Sequence, residues 1–150
     1  MELIFATYPS WSLLVVRLAL GVVFFAHGAQ KVFGWFGGNG LRATVDAFRQ
    51  YIGIPAAATV LAALIECFGG LELIVAVLAR PAALGLIAVM LVAITKVHWR
   101  HGFFINYQNV PNRGHGYEFN FALAAMALAI LLGGAGRCSI DRLIFPLGGD

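Results

Sequence analysis

Four long apolar stretches most constrain what this chain can fold into. Each is close to the ~20 residues that an α-helix needs to cross a bilayer, and each is continuously apolar rather than alternating, which favours helices over barrel strands. The predicted helices cover approximately residues 11–36, 56–79, 82–99 and 117–135. Length and pattern therefore predict a chain that crosses the membrane several times.

The composition supports this prediction. Hydrophobic residues make up 61% of the chain and charged residues only 11%, with a mean hydropathy of +0.86, whereas soluble domains are nearer ~25% charged. The net charge of +3 is scattered, so no basic patch indicates nucleic-acid binding. We expect an all-α fold: an integral membrane four-helix bundle, in a single domain over residues 1–150, with the lipid bilayer as its surroundings.

The connections between the predicted spans carry their own patterns. In the first loop, "LRATVDAFRQYI" places Leu41, Val45, Phe48 and Ile52 at helical spacing. This pattern predicts a short amphipathic helix on the membrane surface. The "RP" pair at 80–81 predicts a tight turn between the second and third spans.

Depth along the helices places one charged pair near the face on which the first span begins. With a rise of about 1.5 Å per residue, Arg17 lies about 9 Å deep in the first span and Glu72 about 10 Å deep in the second. Charged side chains inside a membrane pair with one another. The sequence therefore predicts a structural ion pair between Arg17 and Glu72.

A second polar group collects toward the opposite face, from all four predicted spans. Its members are His27, Lys31, Glu66, His98 and Glu118. Glu66 lies near the bilayer interior and needs a partner or a proton, and His27 is the nearest predicted candidate. Each residue also has a plainer interpretation: a histidine bonded to a carbonyl one turn away, a lysine reaching for the interface, or a first-turn acid favoured by the helix dipole.

Glycines are placed where they allow close packing between the first two spans. Gly21 and Gly28 are seven residues apart on the first, and Gly69 and Gly70 are adjacent on the second. Small residues let membrane helices approach closely. This predicts a tight interface between these two helices.

Several segments together resemble the DoxX family of small four-helix bacterial membrane proteins. They are "RLALGVVFFAHGAQKVFGWFGG", the acid Glu66 before a glycine pair, "VHWRHGFF", "GYEFNFAL" and "GGAGRCSIDR". The resemblance implies a multi-pass protein of the bacterial cytoplasmic (inner) membrane. Members are similar to a subunit of an archaeal thiosulfate:quinone oxidoreductase, and others are linked to oxidative-stress complexes with superoxide dismutase and sulfurtransferases.

The resemblance therefore implies a redox-associated membrane subunit, and its catalytic residues stay unassigned. Quinone chemistry couples electrons to protons, and the polar group could supply the donor and acceptor that a quinone carbonyl requires. The chain has no CxxC, CxxCH or dinucleotide-binding glycine motif, so a partner oxidoreductase subunit would carry the redox centre. Alternative cofactors are a haem between His27 and His98 and a metal ion.

Other function classes fit the same residues. The polar group could hold together a non-catalytic scaffold or assembly protein, or it could form a proton or small-solute pathway. A pathway in a chain of this size would require a homo-oligomer. Quinone binding, or turnover by the purified chain, separates these hypotheses.

Overall fold

The structure, a computed structural model, describes residues 7–144 of the chain, and over this range it is helical with no strand. The domain predicted over 1–150 extends beyond the described residues at both ends. The elements are α1 (Trp11–Val32), α2 (Gly40–Ala47), α3 (Ala56–Val75), α4 (Ala79–Ala93), α5 (Glu118–Gly133) and α6 (Ile140–Ile144). A π turn at Phe48–Ile52 extends α2, and a π turn at Ile94–His98 and a 3-10 turn at Trp99–His101 extend α4.

Three helical stretches are long and apolar enough to cross a membrane. They are Trp11–Val32, Ala56–Val75 and Ala79–His101. Helix α5 is also apolar but has only 16 residues, shorter than the ~20 that span the hydrocarbon layer. The prediction of an all-α integral membrane protein is confirmed at this level.

The four longer helices pack around one core. Helix α1 contacts α3 and α5, and α4 contacts α3 and α5. The core is built from fully buried side chains such as Leu20, Leu73, Leu86 and Ile130. Helix α2 lies in the first loop and covers one end of the α1–α3 pair, which it contacts on both helices.

Helix α1 and α3 approach each other through glycines, as the sequence predicts. A Cβ atom on Gly28 would lie 2.2 Å from the Cys67 backbone nitrogen, and one on Gly70 would lie 2.3 Å from the Phe25 nitrogen. A Cβ atom on Gly21 would also be crowded, because it would lie 2.9 Å from the Gly70 carbonyl oxygen. Gly69 differs, because its nearest neighbour is a Leu86 side chain at an ordinary 3.6 Å.

The tight turn predicted at residues 80–81 is wrong by a few residues. Helix α3 ends at Val75, and the chain reverses through Ala76 and Leu78, whose φ angles of 60° and 52° are left-handed. Helix α4 already begins at Ala79, so Pro81 lies in its first turn. Proline is tolerated there because the first backbone N–H groups of a helix have no intrahelical acceptor.

Candidate functional site

A cavity of about 660 Å³ lies among α1, α3, α4 and α5, toward the end covered by α2. Phe48 and Ile52 of the π turn after α2 contribute to its wall, as do Ile105 and His115 of the loop after α4. Most of the lining is aliphatic or aromatic. Such a cavity, with a few polar groups, is the usual form of a small-molecule site.

Four of the five residues predicted for the polar group line this cavity. They are His27 and Lys31 of α1, Glu66 of α3 and His98 from the π turn after α4. Glu118 is not part of the lining. The structure therefore brings together side chains that are up to 71 positions apart in the sequence (98 − 27).

Lys31 and Glu66 form an ion pair across the α1–α3 interface. The Glu66 side chain is only 4% exposed and that of Lys31 is 26% exposed. The ring of Phe48 also faces the ammonium, with its centroid 5.9 Å from Nζ. The close approach at Gly28, next to Cys67, brings α1 within reach of the Glu66 carboxylate.

His27 takes a different role from the one expected of it. Its Nδ1 lies 2.9 Å from the carbonyl oxygen of Val23, one turn back along α1. His27 Nδ1 therefore bonds to a carbonyl one turn away, as in the plainer interpretation of this residue. The partner of Glu66 is Lys31 and not His27. His27 also lines the cavity and is itself exposed.

His98 is held in a similar way by the loop. Its Nδ1 lies 2.8 Å from the carbonyl oxygen of His115. Because a carbonyl oxygen only accepts, Nδ1 carries the proton in both His27 and His98. In the neutral rings, each Nε2 is then an acceptor, and neither has a protein partner among residues 7–144. Lys96, two residues before His98, is exposed and outside the lining.

Glu118 orders the loop over the end of the bundle instead of lining the cavity. Its carboxylate accepts a hydrogen bond from the Ile105 backbone N–H at 3.1 Å, and its own N–H donates to the Phe103 carbonyl at 2.8 Å. Gly116 and Tyr117 donate to the Phe104 and Gly102 carbonyls, both at 3.2 Å. The "HGFF" and "GYE" segments thus pair with each other.

Two asparagines not predicted from the sequence shape the loop after α4 and the cavity lining, respectively. Asn106, which is 7% exposed, donates to the carbonyls of Val110 and Arg113 and accepts from the Val110 N–H, which folds the loop on itself. Asn120 of α5 lines the cavity and donates to the Met90 sulfur at 3.4 Å. An amide within the apolar "FNFAL" run is a polar group in a predicted membrane span, which is the signal that could have identified Asn120.

The predicted ion pair between Arg17 and Glu72 is wrong. Arg17 is 1% exposed, and its guanidinium donates to four backbone carbonyls instead: those of Leu73 and Ile74 at the end of α3, Ala135 at 2.9 Å and Cys138 at 3.4 Å. Helix C-terminal carbonyls have no intrahelical donors and carry partial negative charge. Two such carbonyls, together with those of Ala135 and Cys138, therefore accept from four of the five N–H donors of Arg17 without a carboxylate in contact.

The acidic residue that comes nearest to the role predicted for Glu72 is Asp141, in α6. It is 3% exposed and interacts electrostatically with Arg17. Its two carboxylate oxygens accept from the N–H groups of Leu78 and Ala79, at 2.8 and 3.1 Å. Asp141 therefore caps the start of α4 and balances the buried charge of Arg17.

Metal-ligating side chains do not converge in the part of the chain that the structure describes. No three or more His, Cys, Asp and Glu side chains there come close enough to hold a metal ion. Lys31 occupies one side of Glu66, and Glu118 faces the loop. The polar residues of the cavity are therefore arranged as hydrogen-bonding groups around an apolar space.

Comparison with known protein families identifies the family that shares this membrane fold and these motifs. The DoxX family model matches residues 12–99, more than half of the chain and all of α1 except its first residue, through to the start of the 3-10 turn. The chain belongs to the DoxX family. No curated protein and no solved structure matches it. The DoxX match includes His27, Lys31, Glu66 and His98, the four predicted residues that line the cavity.

Proposed function

We propose that this DoxX protein is a four-helix subunit of the bacterial cytoplasmic membrane that binds a quinone in the cavity and works with a partner oxidoreductase. In this proposal α5 is the fourth span, α2 lies at the membrane interface, and the whole chain is one domain. The observation that carries the proposal is the pairing of Lys31 with Glu66 beside two imidazoles in a mostly apolar cavity.

The chemistry of a quinone matches the groups around this cavity. A quinone ring is flat and apolar, and its two carbonyl oxygens accept hydrogen bonds and then protons as the ring is reduced. Lys31 is a donor, while the free Nε2 atoms of His27 and His98 are acceptors that become donors when protonated. Phe24 and Phe48 contribute aromatic surface to the same lining.

Protons would move through the same residues. Glu66 and Lys31 share a charge-assisted contact in a low-dielectric setting, so the pair can exchange a proton with a group beside it. Reduction of a quinone consumes two electrons and two protons. The electrons come from the partner's redox centre, and the protons pass through Glu66, Lys31 and the imidazoles.

A binding titration tests the proposal. The purified protein, in lipid nanodiscs, is titrated with a tailless dimethoxy-methyl-benzoquinone, and affinity is measured by calorimetry. We expect saturable binding that weakens about tenfold, equal to ~1.4 kcal/mol, in Glu66→Gln and in His27→Gln. The matched control is Glu72→Gln, on the same helix but outside the cavity lining. Absence of saturable binding by the wild-type protein contradicts the proposal.

A non-catalytic scaffold is the second candidate, and one observation favours it. The Lys31–Glu66 pair joins α1 and α3 where their backbones are in closest contact, so it also serves as an interhelical clamp. If the protein is a scaffold, Glu66→Gln would lower the stability of the bundle, and the wild-type protein would have no quinone affinity to lose. The same titration, performed together with an unfolding measurement, distinguishes the two functions.

A further inference from the structure

One wall of the cavity is exposed on the outside of the bundle. Seven of the lining residues are exposed, and four of them lie on two adjacent helices: Ala58 and Leu61 on α3, and Ala88 and Val92 on α4. The other three are His27, His115 and Phe119. Leu61 is 59% exposed and Val92 is 49% exposed. These fractions are high for side chains that also line an internal space, so the cavity reaches the surface along these two helices.

The packing register places the exposed residues of the two helices opposite each other. A Cβ atom on Gly85 of α4 would lie 3.1 Å from Cγ2 of Ile65 on α3, and the two helices run in opposite directions. Moving from Gly85 toward Val92 on α4 therefore corresponds to moving from Ile65 toward Ala58 on α3. Val92 consequently lies level with Ala58, and about 4.5 Å further along the α3–α4 seam than Leu61.

In a membrane, this seam would face lipid hydrocarbon. Both α3 and α4 belong to stretches long and apolar enough to span the membrane. Leu61 is five residues into α3, about 7.5 Å below the start of that helix. The four exposed lining residues of α3 and α4 are all aliphatic, which suits contact with acyl chains and offers nothing to a hydrated solute.

The end of α4 departs from regular helix beside the same cavity. Its hydrogen bonding changes to a π turn at Ile94–His98, immediately after Val92 and Ala93. Such turns widen a helix and occur frequently at functional sites. Here the turn includes Val97 and His98, which both line the cavity, so the irregular segment continues from the seam to one of the polar residues.

We infer that the α3–α4 seam is a lateral portal, and that the ligand is a long-tailed molecule drawn from the bilayer. The inference rests on the proposed function and names the class of its ligand. The polar ring lies toward Lys31 and Glu66, and the apolar tail leaves between Leu61 and Val92 into the lipid. A cavity that carries the Lys31–Glu66 pair within the bundle and is aliphatic along the α3–α4 seam matches a ligand with a polar ring and an apolar tail.

Two ligands with one ring separate the portal from the ring site. The probes are the tailless dimethoxy-methyl-benzoquinone and the same ring bearing a decyl tail, each titrated into the protein in nanodiscs. In Leu61→Trp/Val92→Trp, two indoles obstruct the seam. We expect affinity for the tailed probe to fall about tenfold and affinity for the tailless probe to stay within about twofold.

Control variants and a second measurement keep the test decisive. Leu71→Trp/Leu84→Trp places the same bulk on exposed positions of the same helices, outside the cavity lining, and should bind both probes as the wild type does. Leu61→Ala/Val92→Ala widens the seam and should speed association of the tailed probe. If the bulky pair does not fold, an unchanged association rate in the alanine pair overturns the inference.

The outcomes distinguish the portal from the proposed function. If the wild type binds the tailless probe but the bulky pair leaves affinity for the tailed probe unchanged, the portal is wrong and the ring site stands. A bulky pair that folds but loses both probes equally also overturns the portal, because the substitution then blocks the ring. If the wild type binds neither probe, the proposed function fails and the inference fails with it.

Discussion

Lys31, at the last turn of α1, forms an ion pair with Glu66 in the middle of α3. The lysine therefore directs its ammonium into the bundle, although depth counting along α1 predicts that its backbone lies near the membrane interface. A carboxylate buried in hydrocarbon is costly unless it is paired. This pair explains how Glu66 is tolerated, and it places a charge-assisted hydrogen bond at the wall of the cavity.

Removal of one member of the Lys31–Glu66 pair should lower the free energy of unfolding far more than removal of both. Lys31→Met leaves the buried Glu66 without its cation, and we expect a loss of about 3–5 kcal/mol in the free energy of unfolding. Lys31→Met/Glu66→Met should recover most of that loss. Reversible unfolding in mixed micelles measures both.

The control for this pair is Lys96→Met, because Lys96 is exposed and lies outside the cavity lining. It should change stability by less than about 0.5 kcal/mol. If the double variant is as unstable as the sum of two damaging single variants, then Lys31 and Glu66 do not stabilise each other.

Gly28→Ala should separate α1 from α3. The added Cβ would lie 2.2 Å from a backbone nitrogen of the facing helix, and backbone atoms have little freedom to move aside. We expect a loss of about 1–3 kcal/mol, typical of an overpacked interface. The variant should also weaken the Lys31–Glu66 contact, measured by a double-mutant cycle with Lys31→Met.

Gly69→Ala is the matched control on α3. Its Cβ would meet only a flexible Leu86 side chain, at 3.6 Å, and alanine is favoured over glycine within a helix by roughly 0.5–1 kcal/mol. Its stability should be unchanged or slightly raised. Equal destabilisation by the two substitutions would show that close packing at Gly28 is not special.

Asp141→Asn should destabilise the end of the bundle that holds Arg17. The amide group cannot accept from both the Leu78 and Ala79 N–H groups, and the charge opposite Arg17 is lost. Leaving one buried donor unsatisfied costs about 1–3 kcal/mol. Asp46→Asn, on the exposed surface of α2, should stay within about 0.5 kcal/mol, and a similar loss in both would argue against the capping role.

Gly116→Ala should open the loop that covers the cavity. A Cβ atom at Gly116 would lie 2.4–2.5 Å from the carbonyl oxygens of Gly102, Phe103 and Phe104. The hydrogen bonds between "HGFF" and "GYE" would then break, and we expect faster amide hydrogen exchange at Tyr117 and Glu118. Gln108→Ala, at an exposed position of the same loop, should leave exchange at these amides unchanged.

The helices were predictable because their signals are local. Length, apolar composition and the rise per residue depend only on nearby sequence, and they located α1, α3 and the start of α5 within a few residues. The helix boundary at residues 76–79 was missed because its reversal uses Ala76 and Leu78 in left-handed conformations. Neither residue type signals such a turn.

The sequence by itself determined a membrane-spanning helical protein of the DoxX family, with His27, Lys31, Glu66 and His98 toward one end. Only the tertiary structure decided which groups the charged side chains bond to. Counting depth along straight helices separated Lys31 from Glu66 by about 10 Å, but the flexible lysine stem and the close approach at Gly28 bring them together. Arg17 likewise bonds to carbonyls that become available only where α3 ends. Ionic pairing in a bundle depends on the distance between helices and on competing backbone acceptors, and both are properties of the packed fold.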